Sequence, residues 1–209
     1  MSIKVKRFTG ADARPYLSEL ARLRIAIFRE FPYLYDGSLD YESGYLDTYV
    51  GAPNSVVVVA FDGGRVIGAS TGLPMSSETD DIKRPFAAHG YDIERMFYFG
   101  ESVLERGYRG QGIGVRFFEQ REAHATSLRC YDWSAFCAVQ RPDNHPRRPR
   151  DYQPLDRFWN KRGYEKRPEL KTAFCWQDLD ESSQSPKPMV FWIKHIASAV
   201  QSVKRNSRF

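Results

Sequence analysis

From residue 12 to residue 30 apolar side chains recur near a 3.6-residue period: Tyr16 and Leu17, Leu20, Leu23 beside Arg24, then Ile27 and Phe28. That spacing predicts an amphipathic helix. Phe31-Pro32-Tyr33-Leu34-Tyr35-Asp36-Gly37 breaks it, and a second, shorter helix is expected over 41–50. The pattern then turns to strand. Residues 55–61 and 65–73 are β-rich and joined by Asp62-Gly63-Gly64, a hairpin signal. Residues 76–90 are polar and irregular, with one helical turn expected around Phe86. A strand over 96–104 runs straight into Glu105-Arg106-Gly107-Tyr108-Arg109-Gly110-Gln111-Gly112-Ile113-Gly114. Beyond that turn Val115, Phe118, Ala125 and Leu128 fall on one stripe of a helix. A strand over 131–139 follows, then a proline-rich loop over 141–154, a short helix over 155–162 ended by Gly163, and strands over 170–177 and 189–194 with a polar linker between them. Neither an internal repeat nor a domain-sized linker interrupts the order. The expectation is one α+β domain over 1–194, a mixed and mostly antiparallel sheet flanked by helices, with a basic tail over 195–209.

Composition narrows this picture. Hydrophobic residues make up 42% of the 209 and aromatic residues 14%, enough for a substantial core and too much for wholesale disorder. The longest apolar run, Val56 to Phe61, falls far short of the ~20 residues of a membrane span. The first eight residues hold no apolar signal segment. Cys130, Cys137 and Cys175 lack metal-ligand spacing and read as reduced thiols, so a cytoplasmic protein without a metal is expected. The net charge of +5 is mild, yet between Arg141 and Lys171 ten basic residues face five acidic ones. Such a segment either meets an anionic ligand or solvates a surface. Its prolines and acidic interruptions suit a loop over a small site better than a nucleic-acid backbone, and no nucleic-acid partner is expected.

The glycine-rich turn carries the chemistry. Glycines allow close backbone approach and positive φ, and the first turn of the following helix has free N–H groups at the positive end of its dipole. A phosphate group is the natural ligand. A nucleotide P-loop would need Lys followed by Ser or Thr after the last glycine, and neither follows Gly114. A dinucleotide fold would need G-x-G-x-x-G after an early strand, and Gly110, Gly112 and Gly114 are spaced differently.

Arg109-x-x-Gly112-x-Gly114, within Tyr-Arg-Gly-x-Gly-Ile-Gly, resembles the acyl-CoA signature of the GNAT N-acetyltransferases, and Phe158-Trp159-Asn160-Lys161-Arg162-Gly163-Tyr164 resembles that family's second motif. The order of elements is similar from about Lys4 to Lys194. The resemblance implies an acetyl-CoA-dependent N-acetyltransferase with a small-molecule amine acceptor, no membrane partner and room for a homodimer. It assigns the pyrophosphate to backbone around Gly110, Gln111, Gly112, Ile113, Gly114 and Val115, with Arg109 approaching the phosphates. The backbone of Ser102, Val103 and Leu104 would pair with the pantetheine arm, and Phe158, Trp159 and Arg162 would flank the cofactor.

An ammonium acceptor with a pKa near ~10.4 must lose a proton before it attacks a thioester. Glu101, on the strand before the turn, holds the position at which the family often places a carboxylate base; its alternative is a strand-edge carboxylate paired with an arginine. The family's usual tyrosine acid falls at Trp159, whose indole does not transfer protons in this range. Tyr152 is the substitute, unless it only packs its loop; Tyr131 or a water are the alternatives, or the thiolate leaves unassisted. Arg141, His145 and Arg148, facing Tyr33 and Tyr35 across the site, would bind an acceptor that carries an anionic group; alternatively those arginines serve the cofactor's 3′-phosphate or solvate the loop. The missing tyrosine leaves a second function open: a CoA-binding sensor or partner module without catalysis.

Overall fold

The computed structural model describes residues 2–196, so nearly all of the expected tail at 195–209 lies outside the described residues. Its elements are β1 (Ile3–Phe8), α1 (Leu17–Phe28), α2 (Leu39–Gly51), β2 (Val56–Asp62), β3 (Arg65–Pro74), α3 (Asp80–Ala88), β4 (Met96–Leu104), α4 (Ile113–Ser127), β5 (Trp133–Val139), α5 (Asp156–Asn160), β6 (Glu165–Trp176) and β7 (Ser185–His195). One seven-stranded sheet, ordered β1-β2-β3-β4-β5-β7-β6, organises them. Every neighbouring pair is antiparallel except β4 and β5. This is the expected α+β domain with a mixed, mostly antiparallel sheet.

The continuous apolar run of β2 is explained by burial on both faces. Val57, Val59 and Phe61 enter the core beneath α1, α2 and α3, whereas Val56, Val58 and Ala60 enter the core beneath α4. Each fully buried valine contributes about 1.5–3 kcal/mol relative to exposure, so the hairpin anchors both layers.

Several expectations change. Residues 3–8 form an edge strand that the sequence reading passed over; Ile3 and Val5 are partly buried while Lys4 and Lys6 face water. Lysines on an outer strand discourage edge-to-edge pairing. Residues 10–16 are a 3-10 helix, so the first α-helix begins only at Leu17. Residues 80–88 form a full helix instead of one turn, with Ile82 and Phe86 buried one turn apart. β6 begins at Glu165, its register shifting between Arg167 and Lys171 around Pro168; an edge strand tolerates that proline. β7 begins at Ser185, and its first residues, Pro186 and Pro188 among them, pair in register with β6 alone, because β5 meets β7 only from Met189 onward.

Candidate active site

Two breaks in the sheet create the site. First, β4 carries one extra residue against β3: Ser70 pairs with Ser102, but Gly72 pairs with Phe99. Glycine is required inside this bulge, because a Cβ at Gly100 would lie 2.0 Å from the Tyr49 hydroxyl and 2.6 Å from Thr71 Oγ1. Second, β4 and β5 pair only from Met96 to Tyr98, against Trp133 to Ala135. Beyond that point β4 stays with β3 and β5 stays with β7, so the two strands part. From Phe99 onward β4 presents an edge that β5 does not cover, and an extended ligand can add to such an edge as a strand would.

The glycine turn stands at the mouth of this wedge. Gly110 and Gly112 both have φ of +79°, and open space lies where their side chains would be. Gly112 is the N-cap of α4, with no side-chain cap and no acidic residue in the first turn. The first amides of this 15-residue helix are therefore free of intrahelical partners and of negative neighbours. A Cβ on Gly114 would lie 3.3 Å from the Phe158 ring, so Phe158 walls the turn from the side. Arg162 lies over that ring at 3.5 Å, and its buried Nε has no partner. Burial lowers its pKa, which makes the guanidinium a receptive partner for an anion. These features fit a pyrophosphate at the turn and an extended arm along β4. Arg109 sits beside them, paired with exposed Glu30 at 2.8 Å and donating to Leu104 O at 3.2 Å. Trp159, partly buried, packs edge-on to Phe136 and Trp192 against the core on the α4 face.

Beneath the bulge lies a buried charge cluster that the sequence reading missed. Arg24 of α1 bridges Glu42 of α2 and Glu101 of β4, and all three are buried. Burial works against the Arg24 charge, but the Glu101 and Glu42 carboxylates outweigh it and raise its pKa. Tyr45 donates to the same Glu101 oxygen at 3.2 Å and contacts Tyr49 at 2.8 Å. The other Glu101 oxygen is buried without a partner. Thus Glu101 is paired with an arginine, the alternative its sequence position left open.

Arg121 of α4 supports the bulge from the opposite face. Its guanidinium donates to the carbonyls of Thr71 and Glu101, each at 3.2 Å, and to Ser102 Oγ at 2.9 Å. The rings of Phe99 and Phe118 sandwich it. Burial lowers its pKa to about 10, still well above neutrality, so the bulge rests on a permanent cation.

The 141–154 loop and the break after α1, which were expected to face each other, do pack together. Phe31 packs against His145 at 5.6 Å and edge-on against Tyr152 at 4.7 Å. Tyr33 stacks on Trp176 at 5.9 Å. Burial raises the Tyr33 and Tyr35 hydroxyls, as it does Tyr152, so all three stay protonated at neutral pH. Arg141 is committed elsewhere: it binds Asp178 at 2.7 Å and the carbonyls of Pro32 and Tyr33 at 2.8 and 2.7 Å, tying the loop to the break. Arg148 pairs with fully exposed Asp143 at 3.0 Å, a contact that water weakens and a ligand can displace. Tyr98 and Cys137, 3.1 Å apart across the start of the wedge, also line this side; burial pushes the Cys137 thiol up to about 12, so it is no thiolate nucleophile at neutral pH.

No protein-family profile matches the sequence, and no curated protein matches it. The fold, however, has many solved counterparts. A GNAT-family acetyltransferase from Streptococcus pneumoniae superimposes with a TM-score of 0.57 at 11% identity, over 94% of this chain and 100% of its own. NAA60 of Arabidopsis thaliana, solved with a bisubstrate analogue, gives 0.60 at 12% identity, over 93% and 98%. The ribosomal-protein-alanine N-acetyltransferase of Brucella melitensis gives 0.60 at 14%, over 92% and 99%. The chain therefore has the fold of the GNAT acetyltransferases along its described length. Among the described residues no helix is long and apolar enough to cross a membrane, and no cluster of His, Cys, Asp and Glu could hold a metal ion.

Proposed function

We propose that this protein transfers an acetyl group from acetyl-CoA to a primary amine. The observation that carries the reading is the continuity between the uncapped, glycine-opened start of α4 and the β4 edge left uncovered by β5. One end suits a pyrophosphate, the other an extended arm that delivers a thioester to the bulge at Gly100 and Glu101. In this reading the amides from Gln111 to Val115 hold the phosphates, Arg109 and Arg162 add charge, and the backbone of Ser102, Val103 and Leu104 pairs with the arm. Tyr152, protonated and next to the acceptor wall, is the candidate donor to the departing sulfur. An anionic group on the acceptor would meet Arg148, with Arg147 and Arg150 nearby in sequence, rather than Arg141.

The test is thiol release from acetyl-CoA across a panel of amines. Amino acids, amino-phosphonates and polyamines belong in it. So does a peptide with an N-terminal alanine, since the Brucella counterpart is named for that acceptor. At least one amine is expected to drive stoichiometric thiol release with an N-acetylated product. Tight CoA binding with no amine-dependent release would favour the second reading, a CoA-binding module without catalysis. The packing of Trp159 against the core, where the family's second motif usually carries a tyrosine, is the observation that supports it.

A further inference from the structure

We propose that Asp178, on the turn between β6 and β7, is a positioning residue for the acceptor amine: through Arg141 it locks the break after α1 and the 141–154 loop into one wall over the wedge; this rests on the N-acetyltransferase reading above.

Contacts carry the wall across the wedge. The Glu101 carboxylate of β4 holds Arg24, whose guanidinium lies 5.0 Å from the centre of the Phe28 ring. Phe28 packs on Tyr33 at 4.5 Å, and Tyr33 stacks on Trp176 of β6 at 5.9 Å. Tyr33 and Cys137 also pack against the buried cluster of Val139, Trp176 and Met189. Cys137 and Val139 belong to the part of β5 beyond Ala135, where β4 no longer pairs with it. A row of side chains thus runs from the uncovered part of β4 to the diverging part of β5 and on to β6. The opposite face of the sheet is filled by α4 and its aromatic core. The acceptor therefore reaches the thioester along this row.

One buried carboxylate holds the far end of the row. Asp178 is 4% exposed. Its two oxygens accept from Nη1 and Nη2 of Arg141 at 2.7 and 2.8 Å, a bidentate pair, and Oδ1 also accepts from Trp176 Nε1 at 2.9 Å. Arg141 spends its other contacts on the carbonyls of Pro32 and Tyr33 in the break, and Trp176 Nε1 reaches the same Tyr33 carbonyl at 3.1 Å. Backbone completes the seam. Tyr35 forms an antiparallel bridge with Asp178, Asp36 N–H donates to Gln177 O at 2.9 Å, and Leu179 N–H donates to Leu34 O at 2.8 Å. Amid these bonds Leu34, bulky and buried, takes a φ of +56°. Such a conformation persists only where its surroundings over-determine it, and strain of this kind collects where placement matters for function.

The loop is fastened at the same point. Arg141 is its first residue, and Phe31 of the break packs on His145 and Tyr152 farther along. Loosening the Asp178–Arg141 tie therefore frees both sides of the wall together. Side chains that must then be ordered when the amine binds cost affinity. An amine that has bound has already ordered them, so the loss falls on KM and spares kcat. The phosphate seat at α4 shares no residue with the tie.

Asp178→Asn on the full chain tests the assignment, since it keeps the shape and removes the bidentate acceptor. With the best amine of the panel, its amine KM is expected to rise about tenfold or more, with kcat at saturation within about threefold and the CoA dissociation constant within about twofold. Arg141→Ala should show the same split, and it leaves Asp178 with Trp176 and, at 3.4 Å, Lys187 as partners, so it serves where Asp178→Asn fails to fold. Arg141→Lys should fall between, because an ammonium lacks the fork that serves Asp178 and both carbonyls. A second readout does not depend on turnover. Trypsin can cut the loop after Arg147 and after Arg150, and each folded variant should be cut there about fivefold faster than wild type or more, with a cooperative thermal melt. A wild-type amine KM, a CoA dissociation constant that rises in step with it, or a loop cut at the wild-type rate overturns the Asp178 role and leaves the acetyltransferase reading standing. Faster cutting with no amine-dependent thiol release in any of the proteins, wild type included, overturns the acetyltransferase reading and this role with it.

Discussion

Gly112→Glu is expected to weaken acetyl-CoA binding by at least ~100-fold while the protein stays folded. Gly112 is the N-cap of α4 at a φ of +79°, and nothing lies within 4 Å of the position a Cβ would take. An added side chain therefore meets no protein atom and enters the space that the proposed function gives to the phosphates. Its carboxylate would lie at the positive end of the helix and compete for the same free amides. Each such interaction is worth ~0.3–2 kcal/mol, and the loss of two or three, with charge repulsion added, accounts for the expected factor. The left-handed backbone adds a cost of roughly 1–2 kcal/mol to the fold, which a domain of ordinary stability survives. Gly112→Asn is the control, because asparagine tolerates this conformation and brings no charge. Calorimetry with CoA and a thermal melt decide the matter. Unchanged CoA affinity in a folded Gly112→Glu protein would remove the phosphate seat from the turn.

The parts of this molecule that follow from local pattern were legible in the chain. β4 and the hairpin of β2 and β3 were expected within a residue or so of their bounds, because apolar alternation and glycine turns are local signals. The glycine turn was legible for the same reason, and Gly110 and Gly112 do take the positive φ it required. What escaped notice was charge placed on a buried stripe. Arg24 falls beside Leu23 on the apolar face of α1, and it is buried there. The helical stripe read as Val115, Phe118, Ala125 and Leu128 leaves a gap of seven between Phe118 and Ala125, and Arg121 fills it, fully inside the core. A cation at an apolar position is a readable sign of a buried partner. The partner is not readable, because Glu42, Glu101 and the carbonyls of Thr71 and Glu101 come from other elements.

Arg24→Ala should cost about 3–5 kcal/mol of unfolding free energy at neutral pH, a large share of the total for a domain of this size. Arg24 is the sole cation that bonds Glu42 and Glu101 among the described residues, and both carboxylates lie out of reach of water. Its removal leaves two like charges buried side by side, each with an oxygen that already lacks a partner. The sign of the pH dependence follows. In the variant the folded carboxylates bind protons more readily than the unfolded ones do, so lowering the pH toward 5 should recover part of the lost stability. Arg24→Lys should fall between, since one ammonium cannot reproduce a guanidinium that uses Nε for Glu42 and Nη1 for Glu101. The combined Arg24→Met, Glu42→Gln, Glu101→Gln protein, which buries no charge at these positions, should regain much of the loss. Urea unfolding at pH 7 and pH 5 measures all four. If Arg24→Ala unfolds with the wild-type midpoint at pH 7, the bulge is not held by this ion cluster and Glu101 is free to move toward the wedge.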